Sequence, residues 1–307
     1  MDVLRSARIS FTVNEADLPL SKQQLIEHIH DVRGLMCLLT DNIDEEMMRA
    51  APQLKVISNV AAGFNNIDIN AASRLGIMVT NTPDVLTETT ADLAFALLIG
   101  VARRIVEADK YTRWGQYRGW ELVQPHMGTD IRGKVLGIVG MGRVGRALAR
   151  SAALGFNMQI IYYSKSHCQE IEKLGGRYVE FEELLRESDF ISVHVPLTDR
   201  TRHMFGPQQF RMMKPTAIII NTSRGPVIDE QTLADALDKN IIAGAGLDVY
   251  ENEPAINSRL LKKEKNVVLL PHIGSATLET RIRMCVVAAQ NMVCALRGET
   301  PPNLVRS

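Results

Sequence analysis

Long apolar runs, paired cysteines and a surplus of either charge are all missing from this 307-residue chain. No window reaches about 18 continuous apolar residues, the least that reads as a membrane-crossing helix. The opening MDVLRSARIS carries two arginines with no apolar run behind them, so export is not expected either, and the chain reads as cytoplasmic. The four cysteines, Cys37, Cys168, Cys285 and Cys294, are scattered, with no Cys-x-x-Cys pair and no histidine at a metal-ligand spacing. A disulfide scaffold and a zinc site are therefore excluded, and no metal is expected. The 35 basic residues balance the 35 acidic ones, which leaves no single-signed block to face nucleic acid or a membrane surface. Even the longest basic cluster, Lys262-Lys263-Glu264-Lys265, is broken by an acid and reads as a solvated face.

What is present is an ordinary globular composition, 46% apolar and 23% charged, in a chain long enough for two domains of roughly 100–200 residues each. There is no internal repeat. Short β-rich apolar runs alternate with helix-period stretches, the pattern of βαβ units around a parallel sheet and hence of an α/β fold. Candidate strands cover residues 35–39, 56–60, 135–139, 159–163, 190–195, 217–221, 244–249 and 267–270. Long helices are expected over 90–104 and 276–296. Proline punctuates the chain at Thr82-Pro83-Asp84 and again at Pro271-His272. The expected division is residues 1–84 with 275–307 in one, smaller domain, and 85–274 inserted into it as the other.

The apolar run Val135-Leu136-Gly137-Ile138-Val139 opens directly into Gly140-Met141-Gly142-Arg143-Val144-Gly145 and then a helical stretch. This is Gly-x-Gly-x-x-Gly between strand and helix, where the first glycine permits the tight turn and the second lets a pyrophosphate approach the backbone. The third allows close contact of helix and strand, and the phosphates meet the positive helix N-terminus. A nicotinamide dinucleotide on a Rossmann-type domain is the expected cofactor. In NAD-binding domains an acid about 20 residues further on takes the adenosine ribose hydroxyls; here the corresponding strand ends in Ser164-Lys165-Ser166-His167. Without a carboxylate to repel a 2′-phosphate, and with a hydroxyl and a lysine to bind it, NADP(H) is the expected preference and NAD(H) the alternative.

Three more segments carry polar residues that a fold alone does not require: Asn221-Thr222-Ser223-Arg224-Gly225, Asp248-Val249-Tyr250-Glu251-Asn252-Glu253-Pro254, and Pro271-His272-Ile273-Gly274. Each follows a candidate strand, where open α/β sheets place their ligands. Reduction of a 2-oxo acid needs a hydride, a proton donor to the carbonyl oxygen and a cation for the carboxylate. His272 fits the proton donor, Glu253 the carboxylate that orients it, and Arg224 the planar fork for carboxylate or carbonyl. The expected function is hydride transfer between NAD(P)H and a small 2-oxo or 2-hydroxy acid.

Together with Asn59-Val60-Ala61-Ala62-Gly63-Phe64-Asn65-Asn66-Ile67-Asp68, Thr80-Asn81-Thr82-Pro83 and His194-Val195-Pro196-Leu197-Thr198, these segments resemble the D-isomer-specific 2-hydroxyacid dehydrogenase family over nearly the whole chain. The resemblance implies two Rossmann-like or flavodoxin-like domains with parallel sheets, and a homodimer with much of its contact on the helix from Thr90. It implies that Arg224 binds substrate, Glu253 supports His272, and Ala61-Ala62-Gly63 holds the substrate carboxylate by backbone N–H groups, where many relatives read Gly-Val-Gly. It adds cofactor contacts at Thr90, Val195, Pro196, Thr222, Asp248 and Gly274. Within the family the chain is most similar to NADP-dependent glyoxylate and hydroxypyruvate reductases, with 2-ketogluconate reductases sharing many features. Formate dehydrogenases lack the glutamate, so Glu253 points away from them. Dinucleotide-sensing corepressors of the same family are the alternative of another class. Family members open with a strand and helix ahead of the region equivalent to residues 9–13; only eight residues stand there, so the small domain is expected to lack its first βα unit and to leave a sheet edge or core face uncovered.

Overall fold

The computed structural model describes residues 1–15 and 20–306. The chain separates into two compact units, Met1–Leu86 with Ser275–Ser307, and Thr87–Gly274. The first crossing lies just beyond the proline-marked break, because Val85 and Leu86 still pack on Val60, Met284 and Ala288 of the first unit.

In the first unit β1 (Gly34–Cys37), β2 (Val56–Asn59) and β3 (Met78–Thr80) form a parallel sheet in that order. Alternate residues of β2 feed opposite faces, as a pleated strand demands. Ile57 joins Cys37, Val79, Met47, Met48 and Ala71 in one core, against short helices that Ser21, Asp44 and Asp68 cap. Val56 meets Ala289, Met292 and Val293 of the helix Leu278–Leu296 on the other face. Leu4 of the helix Asp2–Ser6, with Ile9 and Phe11, covers that same face. The expected uncovered core face is thus corrected: apolar side chains from residues 4–11 fill it. β1 is an edge, with no strand beyond it among the described residues. β3 was missing from the candidate strands because three residues carry no readable periodicity.

The second unit holds seven parallel strands: β4 (Val135–Val139), β5 (Gln159–Tyr163), β6 (Arg177–Tyr178), β7 (Phe190–Val193), β8 (Ile218–Asn221), β9 (Gly244–Leu247) and β10 (Val267–Leu269). Their spatial order is β10-β9-β8-β7-β4-β5-β6. From β4 the chain steps outward to β6, then returns to the other side of β4 and steps outward again. The reversal between β4 and β7 is the switch point at which open α/β sheets bind ligands. Both faces are covered, so the inner strands are largely apolar rather than alternating. Ile218 and Ile220 face the helices Thr87–Ala102 and Arg143–Phe156, while Ile219 faces the core with Leu233, Ala234 and Phe210. The α/β class with parallel sheets agrees with the expectation. The candidate strands at 190–195 and 244–249 are shorter in the structure, because their last residues turn out of the sheet to form the site, and the one at 217–221 begins a residue later, at Ile218.

Candidate active site

The glycine-rich turn stands at the carboxyl end of β4, at the switch point. Gly140 has φ +102°, a conformation for glycine alone, and a Cβ there would lie 2.7 Å from the His194 carbonyl carbon at the end of β7. The turn after β4 therefore lies directly on the turn after β7. Gly145 needs its missing Cβ for a different reason, since an added carbon would sit 2.3 Å from the Gly140 oxygen. Gly142, by contrast, meets nothing within 4 Å at its Cβ position. It is the N-cap of the helix Arg143–Phe156, whose first turn carries Arg143, Val144 and Gly145. An open glycine at a helix N-terminus is the cradle that a pyrophosphate fills. The Thr222 hydroxyl, buried with no hydrogen-bond partner, is a second group that fits a ligand. A bound dinucleotide would satisfy both.

Val195 and Pro196 leave β7 beside this turn, and Ser164 and Lys165 leave β5 with Lys165 exposed. Downstream of them the Glu172 carboxylate accepts from the Tyr162 hydroxyl at 2.7 Å and meets His167 Nδ1 at 2.8 Å. Among the described residues, the acid whose hydrogen bonds reach this turn is thus tied to its own neighbours. Both hydrogen bonds and the His167 charge hold it below the usual carboxylate range.

The catalytic candidates leave β8, β9 and β10. Asn221 shapes the first turn: its Oδ1 accepts from the Ser223 N–H and hydroxyl, and its Nδ2 donates to the Arg224 carbonyl at 3.0 Å. Gly225 is indispensable here, because a Cβ would fall 1.9 Å from the Tyr250 carbonyl. The Arg224 turn is thereby pressed against the segment that carries Glu253. Burial works against the Arg224 charge and lowers its pKa, while the Glu253 carboxylate pulls the other way.

Glu253 Oε2 lies 2.8 Å from His272 Nδ1, with the two side chains 36% and 33% exposed, so the pair is both formed and open to a small molecule. Its Oε1 accepts the Tyr250 N–H at 2.9 Å. Burial alone would raise the Glu253 carboxyl. The His272 and Tyr250 hydrogen bonds and the charges of His272 and Arg224 outweigh it and hold the group below its ordinary value. His272 itself has φ +55°, rare for a residue with a side chain. The Asp248 carboxylate, almost wholly buried, holds that backbone by accepting the Ile273 and Gly274 N–H groups at 2.7 Å each. Burial raises the Asp248 carboxyl despite those bonds. Thr90 completes this corner, its Cγ2 3.4 Å from where a Gly274 Cβ would stand.

A third carboxylate fixes the Glu253 segment at both ends. Glu230, buried at the start of the helix Glu230–Asp238, accepts the N–H groups of Glu251 and Asn257, and its own N–H donates to Glu251. Sequence reading missed Glu230, and the spacing to its partners gives no signal. It named His272 as the acid. His194 stands at the same sheet edge, but burial pushes it down to about 4 and its Nε2 meets the Ser192 hydroxyl at 2.8 Å. It is neutral near pH 7, which leaves His272.

Of the expected site residues, only Ala61, Ala62 and Gly63 belong to the first unit. They form the turn after β2.

Residues 95–274 match the sequence model of the D-isomer specific 2-hydroxyacid dehydrogenase, NAD binding domain. The glyoxylate reductase of Thermococcus litoralis is 54% identical over 286 residues, spanning 92% of this chain and 86% of that one. The glyoxylate reductase of Korarchaeum cryptofilum is 53% identical over 291 residues, 94% of this chain and 87% of its own. Among solved structures, a Thermus thermophilus protein aligns with a TM-score of 0.93 at 40% identity, covering 99% of this chain and 96% of that one. The NADPH-dependent glyoxylate/hydroxypyruvate reductase of Sinorhizobium meliloti, solved with NADP and malonate, aligns at 0.82 and 33% identity, covering 91% and 85%.

Proposed function

The chain belongs to the D-isomer-specific 2-hydroxyacid dehydrogenase family, and on that premise we propose that it reduces glyoxylate or hydroxypyruvate to the 2-hydroxy acid, with NADPH preferred over NADH. The product is of D configuration where it is chiral. The observation that carries this reading is the Glu253–His272 pair at the carboxyl edge of the sheet, beside the half-buried Arg224. The reduced nicotinamide supplies the hydride. His272 Nδ1 is committed to Glu253, so the proton passes from Nε2 to the carbonyl oxygen as charge develops there. Glu253 stabilises the imidazolium before transfer and fixes its plane. Arg224 presents its guanidinium fork to the carboxylate or carbonyl of the substrate, and the backbone of Ala61, Ala62 and Gly63 receives the carboxylate. Thr90, Val195, Pro196, Thr222, Asp248 and Gly274 line the cofactor's path along the sheet edge. The NADPH preference is supported by the turn after β5, where Ser164 and Lys165 replace the expected acid.

A homodimer belongs to the same reading. The helix Thr87–Ala102, expected to supply the contact, is largely spent on the core of its own unit. Exposed apolar side chains collect instead at Trp114, Tyr117, Trp120, Leu122, Val123 and Met127, a patch that a second copy would cover. The four cysteines are unbridged, which fits a cytoplasmic location; among the described residues no helix is long and apolar enough to cross a membrane.

The test is direct. NADPH or NADH is mixed with the protein and with glyoxylate, hydroxypyruvate or 2-ketogluconate in turn, and loss of the reduced-nicotinamide absorbance is followed. Fastest consumption is expected for NADPH with one of the first two. Consumption with 2-ketogluconate alone would move the substrate to a longer chain, and none with any of the three would sink the proposal.

A further inference from the structure

The turn after β2 has all three of its carbonyls occupied. The Ala61 oxygen accepts the Thr82 N–H at 2.8 Å. The Ala62 oxygen accepts Asn81 Nδ2 at 2.7 Å, and the Gly63 oxygen accepts Asn59 Nδ2 at 2.8 Å. A carbonyl oxygen can only accept, so each asparagine must present its amide nitrogen here and not its oxygen. The peptides of this turn are trans, and in a trans peptide the C=O and the following N–H point in opposite directions. The Ala62 and Gly63 carbonyls, drawn toward Asn81 and Asn59, turn the N–H groups of Gly63 and Phe64 away from those amides, and the Ala61 carbonyl, held by the Thr82 N–H, does the same for the N–H of Ala62. Successive N–H groups on one side of a turn form a concavity suited to an anion.

The asparagines are themselves fixed. Asn59, fully buried at the end of β2, also donates to Asn66 Oδ1 at 3.1 Å, and Asn66 spans the carbonyls of Leu38 and Asp41 at 3.0 Å each. The Asn81 backbone is held on both sides. Its carbonyl accepts Asn291 Nδ2 at 3.1 Å and its N–H donates to the Asn303 oxygen at 3.3 Å, while Asn303 Nδ2 donates to Asn291 Oδ1. This scaffold is built from neutral amides. A carboxylate cannot hold a carbonyl, and one placed here would repel an incoming anion.

We propose that Asn59 and Asn81 are positioning residues that aim the N–H groups of Gly63 and Phe64 at the carboxylate of the 2-oxo acid. The inference rests on the reading of that turn as the carboxylate site and assigns what makes it one. Because the contact is made equally to bound substrate and to the transition state, its loss raises KM and spares kcat.

The experiment uses the NADPH complex of the full chain, with oxamate, a non-reducible 2-oxo acid isostere, titrated calorimetrically. Asn81→Leu removes the amide while keeping a side chain of four heavy atoms branched at Cγ, and Asn81→Ser does so with a smaller side chain should the first not fold. Loss of one bond in a charge-receiving cradle is expected to weaken oxamate and raise the substrate KM about tenfold, with kcat changed less than about twofold. NADPH affinity stays as in the unmodified protein. Equal oxamate affinity in variant and parent would overturn the role of Asn81 and leave the reductase reading standing. A joint fall of oxamate affinity, NADPH affinity and kcat would show a merely structural asparagine and overturn it too. If the parent neither binds oxamate nor reduces a 2-oxo acid, the reductase reading falls and takes this inference with it.

Discussion

Two turns of this molecule are held in place by opposite chemistry. The segments that carry His272 and Glu253 are fixed through their N–H groups by carboxylates: Asp248 on Ile273 and Gly274, Glu230 on Glu251 and Asn257, Glu253 on Tyr250. The turn at Ala61, Ala62 and Gly63 is fixed through its carbonyls, by the amides of Asn59 and Asn81 and the Thr82 N–H. On the proposed reading the difference follows what each turn faces, a proton donor at the first and a carboxylate receptor at the second. A proton donor gains from negative charge behind it, which stabilises the imidazolium until transfer. A carboxylate receptor needs its N–H groups free and no negative charge near them, and neutral amides provide both.

The comparison breaks most visibly at His272. Its replacement by alanine is expected to lower kcat by about a thousandfold, within the range for loss of a general acid, while oxamate and NADPH affinities change little. That is the mirror image of the KM effect expected at Asn81, and unchanged turnover in steady-state assays would remove His272 from the chemistry. Glu253→Gln comes next, with a fall in kcat of about a hundredfold, and it also sharpens the electrostatic side. A carboxyl held below its unfolded value stabilises the protein above the unfolded pKa of about 4.3, and that contribution disappears as pH falls through the folded value. Thermal denaturation from neutral pH into the acid range should therefore fall less steeply for Glu253→Gln than for the parent, and parallel curves would show that the pair contributes no such linkage. The smallest effect is expected at the cofactor turn after β5. Ser164→Asp sets a carboxylate where a 2′-phosphate would lie and should shift the NADPH to NADH ratio of kcat/KM by about tenfold toward NADH. A ratio that does not move would place the phosphate elsewhere.

The sequence was most legible where structure is local. β4 and β5 have the same limits in the sequence reading and in the structure, since a run of apolar residues ending in glycine or a polar turn needs no distant partner to be recognised. The glycine motif was equally plain, and the three glycines separate physically into a strained φ, an open approach and a close contact. His272 and Glu253 were readable as candidates from their places after candidate strands. Their meeting at 2.8 Å was not, because it depends on the left-handed backbone at His272 and on Asp248 holding the residues after it. Glu230 gave no signal, and Asn59 and Asn81 stood within segments of the family resemblance with no role read for them. A buried glutamate at a helix start looks like any first-turn acid, and Asn81 before Thr82-Pro83 looks like part of a loop.

The sequence alone determined the α/β class, the dinucleotide motif and the identities of the chemical groups, because periodicity and turn chemistry act over a few residues. Only the tertiary structure decided which groups stand together. Parallel strands return the chain to the same sheet edge after long crossovers, so residues 19 apart, such as Asn81 and Ala62 or His272 and Glu253, become hydrogen-bonding neighbours. Where those partners point is set by buried amides and carboxylates whose bonds exist only after the strands have paired.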